Sequence, residues 1–397
     1  MNPFFGYAVA CALTLILYSL HWSGRYPPLS ASLGTFLGAT VLIHLLTGQL
    51  WKRSFCLPSS PRFPTINHFR VTGVVYVLWT LDFIYEGGIP LIKILLHQPY
   101  NYRLFGFPTV HVLTVTFASC YTVYLFYQFL ATKKRRLLVW WAVNLMAAVL
   151  IYSRAMLVFN LVSCAFIWLS VWPYRRLFLF PACIIALSIL LYFFGVLGNL
   201  RVSREAGKEY TNDLFLDVGK ATSEFEGTGI PKEYFWSYVY LTSPIANLQS
   251  NLNNSISLPL STAAAGQMAI NEFLFDFISK RVNRYTGHSR VDGYTIGPPF
   301  NVSTVYSGSF SYLQWPGMIA MALFLVVFPW LYLKCTVRNS VFTTVGVSIL
   351  CTMYCFLLYD NTIRFTGLAF QLVYPVLAGW LEKGKLKMPG LGPKQID

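Results

Sequence analysis

The sequence has few charged residues. Only 11% of its 397 residues are charged, against about 25% in ordinary soluble proteins, and its 15 acidic residues are half as many as its 30 Lys and Arg. Hydrophobic residues make up 55% of the chain. This composition excludes an ordinary soluble domain, and recurring apolar segments of about twenty residues predict helices that cross a membrane.

Short catalytic motifs are also missing. The chain has no HExxH, GxSxG or CxxC motif and no P-loop, so zinc hydrolysis, a serine nucleophile and ATP hydrolysis have little support. None of the eight cysteines lies in the long polar segment 198–313, which argues against a disulfide framework. We expect neither a metal site nor a cofactor.

The apolar segments predict an all-α polytopic membrane protein with about ten transmembrane helices. Residues 1–197 hold the first seven, 198–313 form one large helical loop, and 314–397 hold the last three and a basic tail. Aromatic-rich stretches within the loop predict further helices. The predicted spans are 4–21, 29–50, 69–86, 106–130, 137–152, 155–173, 177–197, 314–333, 341–359 and 363–381.

Basic residues are concentrated in the short loops. The segment 198–313 holds nine Lys or Arg and ten Asp or Glu, so 21 basic and five acidic residues remain elsewhere. With ten spans the basic loops share one side, and the positive-inside rule makes that side cytoplasmic, with both termini there. This distribution argues against nucleic acid as a partner. The basic groups are Lys52 to Arg70, Lys133 to Arg136, Arg175 with Arg176, Lys334 with Arg338, and Lys383, Lys385, Lys387 and Lys394 in the tail.

Another group of cations lies near the end of the polar segment. Arg281, Arg284 and His288 are spaced to share one face of a helix. Lys280 lies at the edge of that face, and Arg290 follows it. Guanidinium forks match phosphate oxygens, so this face predicts a site for a phosphate or diphosphate head group. Unspecific attraction to lipid phosphates explains the pattern equally well.

Two further arginines lie at the outer ends of predicted spans. Arg154 separates two apolar segments, and Arg364 begins the last span. A charge at such a depth is unfavourable unless it snorkels, pairs or binds an anion. Asp360, four residues before Arg364, is a candidate partner. The two arginines therefore predict either local pairing or a shared anion site.

Several side chains could accept a proton in catalysis. General-base assignment depends on geometry, so the sequence alone does not rank the candidates. They are His288, Asp276 and Asp360, with Glu272 and Asp292 as further ones.

Asp82 and Glu86 lie four residues apart near the end of the third span. Carboxylates within a membrane are functional candidates, and two of them could relay protons. They could equally cap their helix or pair with Lys93.

The chain resembles the bacterial O-antigen polymerases of the Wzy type, relatives of the O-antigen ligases. The resemblance rests on the helix number, the large loop, and three short stretches: Ser153-Arg154-Ala155, Tyr240 to Asn247, and Asn301-Val-Ser-Thr304. Tyr312 to Gly317 departs from the family, because many members have an Asp-Phe-Gly-like run there. The Arg-x(10)-Gly repeats described for some members are also absent.

This resemblance implies a GT-C-like, inverting glycosyltransferase at the periplasmic face of the bacterial inner membrane. It would polymerise O-antigen repeat units carried on undecaprenyl diphosphate, within the lipid bilayer, and a chain-length regulator is a further candidate partner. The arginines that would stabilise the departing diphosphate are Arg154, Arg281, Arg284, Arg290 and Arg364. The residues that would contact the glycan are Tyr240, Asn247, Tyr294, Asn301 and Thr304.

Two other functions fit the same sequence. An O-antigen ligase uses the same donor but transfers the glycan to lipid A-core, and the sequence does not separate it from a polymerase. A non-enzymatic flippase or transporter of lipid-linked oligosaccharides is expected to have pseudo-symmetric halves and charges on both sides of the membrane. The polar segment here is predicted on one side, which favours an enzyme.

Overall fold

The computed structural model describes residues 1–58, 60–96, 98, 105–171, 214–255 and 260–387, with scattered positions between 185 and 196. The regular secondary structure of the described residues is helical, apart from one isolated β-bridge between Ser23 and Ala221. Its N-terminal helices are α1 (Pro3–Tyr18), α2 (Ala31–Ser54), α3 (His68–Tyr85), α4 (Pro90–Leu95), α5 (Val110–Thr132), α6 (Arg135–Leu150) and α7 (Arg154–Val171).

The remaining helices belong to the polar segment and the C-terminal part. A π-helical turn (Ala269–Phe273) extends α11, and a 3-10 turn (Phe370–Leu372) joins α15 to α16. The helices are α8 (Leu214–Gly219), α9 (Ser223–Glu226), α10 (Glu233–Asn254), α11 (Thr262–Met268), α12 (Asp276–Thr286), α13 (Val305–Cys335), α14 (Val341–Phe356), α15 (Thr366–Ala369) and α16 (Val373–Lys387).

Four of the described helices, α2, α5, α7 and α13, are long and apolar enough to cross a membrane. Helices α1 and α14 are apolar but shorter, with 16 residues each. Helix covers nine of the ten predicted spans. The tenth, 177–197, lies outside the described residues except at scattered positions. The prediction of an all-helical chain with membrane-crossing helices is confirmed.

The basic loops meet at one end of the helix bundle, which we call the basic end. One cleft there is lined by Arg53 to Cys56 and Pro58 together with Leu333, Thr336, Arg338 to Ser340, Thr343 and Thr344. Residues 65–69 line another with Arg136 and Trp140. Ser340 Oγ donates a hydrogen bond to Glu382 Oε2 at 3.1 Å, which brings the tail to this end. Three of the five basic groups therefore lie together, and Glu382 brings the start of the tail to them; Arg175, Arg176 and Lys394 lie outside the described residues.

The polar segment covers the opposite end, which we call the capped end. It packs on the turn between α1 and α2, which contains Arg25. The Gly24 backbone N–H donates to the Lys220 carbonyl oxygen at 2.7 Å, and the Trp22 N–H donates to the Tyr238 hydroxyl at 3.1 Å. A cluster of aromatic side chains fills the contact, among them Trp22, Tyr26, Phe225, Phe235 and Phe300.

Helix α13 consists of two legs that fold back on each other at Gln314, where φ is 54° and ψ is −134°. The Ser309 carbonyl lies so close to Gly317 that a Cβ on this glycine would overlap it. In a straight helix the two residues would be about 12 Å apart. The first leg enters the bundle, because the Val305 N–H donates to the Leu357 carbonyl at 2.8 Å and the Tyr306 hydroxyl bonds to that of Tyr7 at 2.7 Å.

The polar segment also fills space beyond the end of α14. This helix runs antiparallel to the second leg of α13, since Tyr332 lies beside Gly346 and the Tyr354 hydroxyl donates to the Leu325 carbonyl at 2.6 Å. Because α14 ends at Phe356, it stops beside the middle of that leg. The first leg of α13, the π-helical turn and residues 357–365 occupy the region beyond it.

Candidate functional site

Glu272 is a buried carboxylate in the π-helical turn, with 1% of its surface exposed. Its Oε1 accepts hydrogen bonds from Arg290 Nε at 3.3 Å and Nη2 at 3.2 Å. Asn361 Nδ2 donates to Glu272 Oε2 at 3.2 Å and to the Glu272 carbonyl at 2.7 Å. Burial raises the pKa of Glu272 above its usual range, although Arg290 and Arg364 oppose that shift.

Gly308, in the first leg of α13, makes room for this carboxylate. A Cβ at Gly308 would overlap both carboxylate oxygens of Glu272. Glycine is favoured where a side chain comes this close to the backbone, because glycine has no Cβ. The folded-back leg therefore forms one wall of the Glu272 site.

Arg364 provides a second guanidinium near Glu272. Both Arg364 and Arg290 attract the Glu272 carboxylate, and Asp360 repels it. The Arg364 Nε is buried and has no hydrogen-bond partner among the described residues. A buried donor that lacks a partner leaves capacity for an anionic ligand. We call Glu272, Arg290, Asn361 and Arg364 the inner cluster.

Asp360 is exposed and bonds to its own neighbour. Its Oδ1 accepts a hydrogen bond from the Asn361 backbone N–H at 2.7 Å. Within the described chain, no ion pair joins it to Arg364. The described residues therefore do not contain the local ion pair between Asp360 and Arg364 that the sequence offered as one alternative.

Asp276 joins α12 to the start of α15. Its carboxylate accepts hydrogen bonds from the Thr366 N–H at 3.0 Å, from the Thr366 hydroxyl, and from Lys280 Nζ at 2.7 Å. Burial opposes ionisation, yet the hydrogen bonds from Lys280 and Thr366 hold the pKa of Asp276 below its usual range. The carboxylate is thus occupied by bonds that brace the fold, and its catalytic role stays a prediction.

The other predicted cations of α12 face outward. Arg281 and Arg284 are exposed, and the Arg281 guanidinium lies 5.5 Å from the ring centre of Phe277. The helix ends at Thr286 because Gly287 is left-handed, with φ of 70°. His288 is exposed and lies beyond the helix, so the prediction that it continues the arginine face is wrong. We call Arg281 and Arg284 the outer arginines.

Arg154 lies exposed at the start of α7. This helix runs antiparallel to α14, because Ser163 bonds to Thr352 at 2.8 Å and Phe159 stacks on Phe356 at 4.7 Å. Arg154 therefore lies at the same end of the bundle as Arg364. Among the described contacts, none joins Arg154 to the inner cluster.

The residues predicted to contact glycan divide into buried and exposed ones. Asn247 is buried; its Nδ2 donates to the carbonyls of Phe300 at 2.8 Å and Val302 at 2.6 Å, and its Oδ1 accepts from the Ile296 N–H at 2.8 Å. It braces the chain that leads into α13.

Thr304 caps α13 by accepting a hydrogen bond from the Tyr306 N–H at 3.3 Å. Tyr240 is half-buried beside Trp236. Tyr294 and Asn301 are exposed at the capped end and are accessible to a ligand. Asp292, a further candidate base, is exposed as well.

Asp82 and Glu86 hold the turn before α5. Asp82 is buried; its Oδ1 accepts from the Phe107 N–H at 2.9 Å and its Oδ2 lies 2.8 Å from His111 Nδ1. Glu86 Oε1 accepts from the Gly106 N–H at 2.9 Å, and Lys93 donates to the Glu86 carbonyl. This geometry favours a structural role for Asp82 and Glu86, which hold the turn in place.

Sequence reasoning missed Asn361 and Gly308, which orient Glu272. The sequence signal for Asn361 was weak: a polar residue next to Asp360 at the start of a predicted span. Gly308 lies in a serine-rich stretch that reads as loop. Their role depends on contacts between parts of the chain that are far apart in sequence.

The described residues contain no group of three or more His, Cys, Asp and Glu side chains that could hold a metal ion. The inner cluster instead offers one carboxylate, one amide and two guanidinium groups. Such a set can bind an anion and exchange a proton. In comparisons with known proteins, no family model, curated protein or solved structure matches this chain.

Proposed function

We propose that this protein is an inverting, GT-C-like glycosyltransferase that polymerises O-antigen repeat units carried on undecaprenyl diphosphate. The observation that carries the proposal is the inner cluster, in which buried Glu272 faces Arg290 and Arg364. A carboxylate of raised pKa beside cations with unused donors suits proton transfer coupled to departure of a diphosphate. The family resemblance supplies the substrate class.

In the proposed reaction a hydroxyl of the acceptor repeat unit attacks the anomeric carbon of the donor glycan. A new carbon–oxygen bond forms, and the bond from that carbon to the diphosphate oxygen breaks. The diphosphate carrier leaves with the electron pair, which Arg290 and Arg364 stabilise. Glu272 accepts the hydroxyl proton, in place of the other candidate bases His288, Asp276 and Asp360.

The position of the inner cluster suits a substrate that arrives from the bilayer. Phe273, next to Glu272, packs on Phe324 with ring centres 4.7 Å apart. Phe324 lies about 14 Å along the second leg from Trp315, at a rise of 1.5 Å per residue. Its neighbours Leu323 and Val327 are exposed, as expected of a face in contact with lipid. A lipid-borne head group could therefore reach Glu272 from the membrane side.

We also propose that the chain has ten spans with both termini in the cytoplasm. The three basic groups and the start of the tail at one end, and the described part of the polar segment at the other, support this topology because cytoplasmic loops carry the excess of Lys and Arg. The capped end would then face the periplasm. An O-antigen ligase has the same requirements, and no contact separates it from a polymerase.

A second candidate function is transport of a lipid-linked oligosaccharide. The break in α13 at Gln314 favours it, because discontinuous helices with polar sites at membrane depth are typical of secondary transporters. The charged side chains of the inner cluster and the outer arginines are concentrated toward the capped end, and this asymmetry favours the enzyme.

Deletion of the gene in its native host, followed by gel analysis of lipopolysaccharide, tests the proposal. A polymerase predicts loss of long chains with one repeat unit still attached to the core. Loss of all repeats would indicate a ligase or transporter, and an unchanged ladder would contradict all three. Complementation with wild type and with Glu272→Gln should restore long chains only in the first case.

A further inference from the structure

The two members of the central ion pair differ in how firmly they are held. Asn361 donates to both the carbonyl and Oε2 of Glu272, and Gly308 lies against its carboxylate. Glu272 therefore has a fixed position. Arg290 belongs to residues 287–304, which form no helix, and 35% of its side chain is exposed. The cation is therefore held by fewer contacts than the carboxylate.

The ion pair leaves donor capacity unused. Arg290 Nε and Nη2 both approach one oxygen of Glu272, at 3.3 and 3.2 Å, and do not form the two parallel bonds of a bidentate pair. The buried Nε of Arg364 has no partner among the described residues. A phosphate group could accept from both guanidinium groups, so it would satisfy donors that Glu272 does not.

We propose that a phosphate-bearing ligand takes Arg290 from Glu272, and that its binding is thereby coupled to uptake of a proton by Glu272. This inference rests on the proposed function only in naming the donor's diphosphate as the natural ligand. The coupling itself is a property of the inner cluster.

The charges around Glu272 determine the sign of this coupling. Arg290 and Arg364 favour its ionised form, whereas Asp360 and burial favour the neutral form. Tyr312, the other titratable group nearby, accepts a hydrogen bond from the Val291 N–H. Engaging the arginines with a phosphate removes attraction and adds a nearby negative charge, so the proton affinity of Glu272 rises. Anion binding then tightens as the pH falls.

This coupling would match base strength to the presence of substrate. Without donor, the attraction of Arg290 and Arg364 lowers the proton affinity of Glu272. With the diphosphate in place, a Glu272 that is still ionised is a stronger base toward the acceptor hydroxyl. A Glu272 that has already taken a proton from solvent cannot accept the hydroxyl proton, so glycosyl transfer should slow as the pH falls.

Calorimetry on the purified full chain in detergent tests the coupling, with inorganic diphosphate as the probe. Titrations in two buffers of different protonation enthalpy give the number of protons taken up per anion. Wild type should exceed Glu272→Gln by up to about one proton per diphosphate, since only wild type has the titrating group. The variant corrects for protons bound by diphosphate itself. Glu226→Gln, at an exposed carboxylate in α9, should behave as wild type.

Equal proton uptake in wild type and Glu272→Gln would overturn the proposal, as would failure of diphosphate to bind wild type. If the Glu272→Gln protein does not fold, infrared difference spectra of wild type replace it. Adding diphosphate should produce a band from a newly protonated carboxyl group, and its absence would overturn the coupling. The gel analysis of the deletion strain is independent, so failure of the coupling and failure of the glycosyltransferase proposal are distinguishable.

Discussion

The inner cluster and the outer arginines use the same chemical group in opposite ways. Arg290 and Arg364 face a buried carboxylate, whereas Arg281 and Arg284 lie on the exposed face of α12. In sequence, three of the four lie within ten residues and look like one phosphate site. Helical spacing shows which side chains share a face, but only the packing of the helix shows which way that face points.

The difference in environment determines how strongly each arginine acts. Charges in a site of low effective dielectric interact far more strongly than charges in water. Exposed charges are screened by salt within about 8 to 10 Å. We therefore expect the inner cluster to govern the reaction, and the outer arginines to contribute weakly through attraction to lipid phosphates.

The largest expected effect separates the two groups directly. Arg364→Ala should lower the rate of chain extension by about 10²–10³-fold, the range measured when one transition-state donor is removed. Arg281→Ala should lower it less than about fivefold, since exposed pairs contribute at most about 1 kcal/mol. The assay is glycan polymerisation by protein reconstituted in vesicles. Equal losses in the two variants would remove the distinction between the groups.

A change in the wall of the inner cluster should disturb Glu272 without touching a charge. Gly308→Ala places a methyl group over the carboxylate, and we expect it to destabilise the protein by about 1–3 kcal/mol, as overpacking does. Gly266→Ala is the matched control, because no neighbouring heavy atom lies within 4 Å of its Cβ position. That change should be neutral or stabilising, since alanine favours helix by about 1 kcal/mol. Thermal unfolding in detergent measures both.

The two buried acids, Glu272 and Asp276, should respond to pH with opposite sign. The pKa of Asp276 is lowered, so its stabilising contribution is complete above its unfolded value of about 3.9 and is lost as the pH falls through the folded value. The pKa of Glu272 is raised, so its contribution is complete below about 4.3 and is lost as the pH rises through the folded value.

Unfolding of Asp276→Asn and Glu272→Gln between about pH 2 and 8 tests this pair of signs. Relative to wild type, Asp276→Asn should be less stable by about 1–3 kcal/mol near neutral pH, with a smaller deficit in acid. The stability of Glu272→Gln relative to wild type should instead rise with pH. Parallel slopes for the two variants would contradict the opposite environments.

A smaller effect concerns the exposed face of α12. Tyr285 is 93% exposed, so Tyr285→Cys should react with a membrane-impermeant maleimide in intact cells if the capped end is periplasmic. Cys56 and Cys335 are exposed at the basic end and should react only after lysis. Activity of the variant should stay within about twofold of wild type, as expected of a surface change. Labelling of Cys56 in intact cells would reverse the proposed orientation.

Much of the fold could be predicted because long apolar helices appear in the sequence as long segments of high hydropathy. The first leg of α13 could not. Its residues Val305 to Leu313 include three serines and two tyrosines, which read as part of a polar loop. In the structure most of these hydroxyl groups find partners inside the bundle; for example, Asn251 Nδ2 donates to Ser311 Oγ at 3.0 Å. The Ser309 hydroxyl is buried without a partner among the described residues.

The sequence identified the charged residues of the candidate site but not their arrangement. Glu272, Arg290 and Arg364 were recognised as chemically able, since carboxylates and guanidinium groups are scarce in this chain. Their ranking over Asp276, Arg281 and Arg284 depends on the contacts of Glu272 with Arg290, Gly308 and Asn361. Gly308 and Asn361 lie far from Glu272 in sequence. The spacing of residues along one helix carries no information about such contacts.

The most direct test of the account is the position of a bound diphosphate. A cryo-electron microscopy map of the full chain with a non-transferable, lipid-linked diphosphate sugar would show it. We predict density for the diphosphate against Arg290 and Arg364, with Arg290 moved away from Glu272. Density against Arg281 and Arg284, with the inner cluster unchanged, would contradict the account.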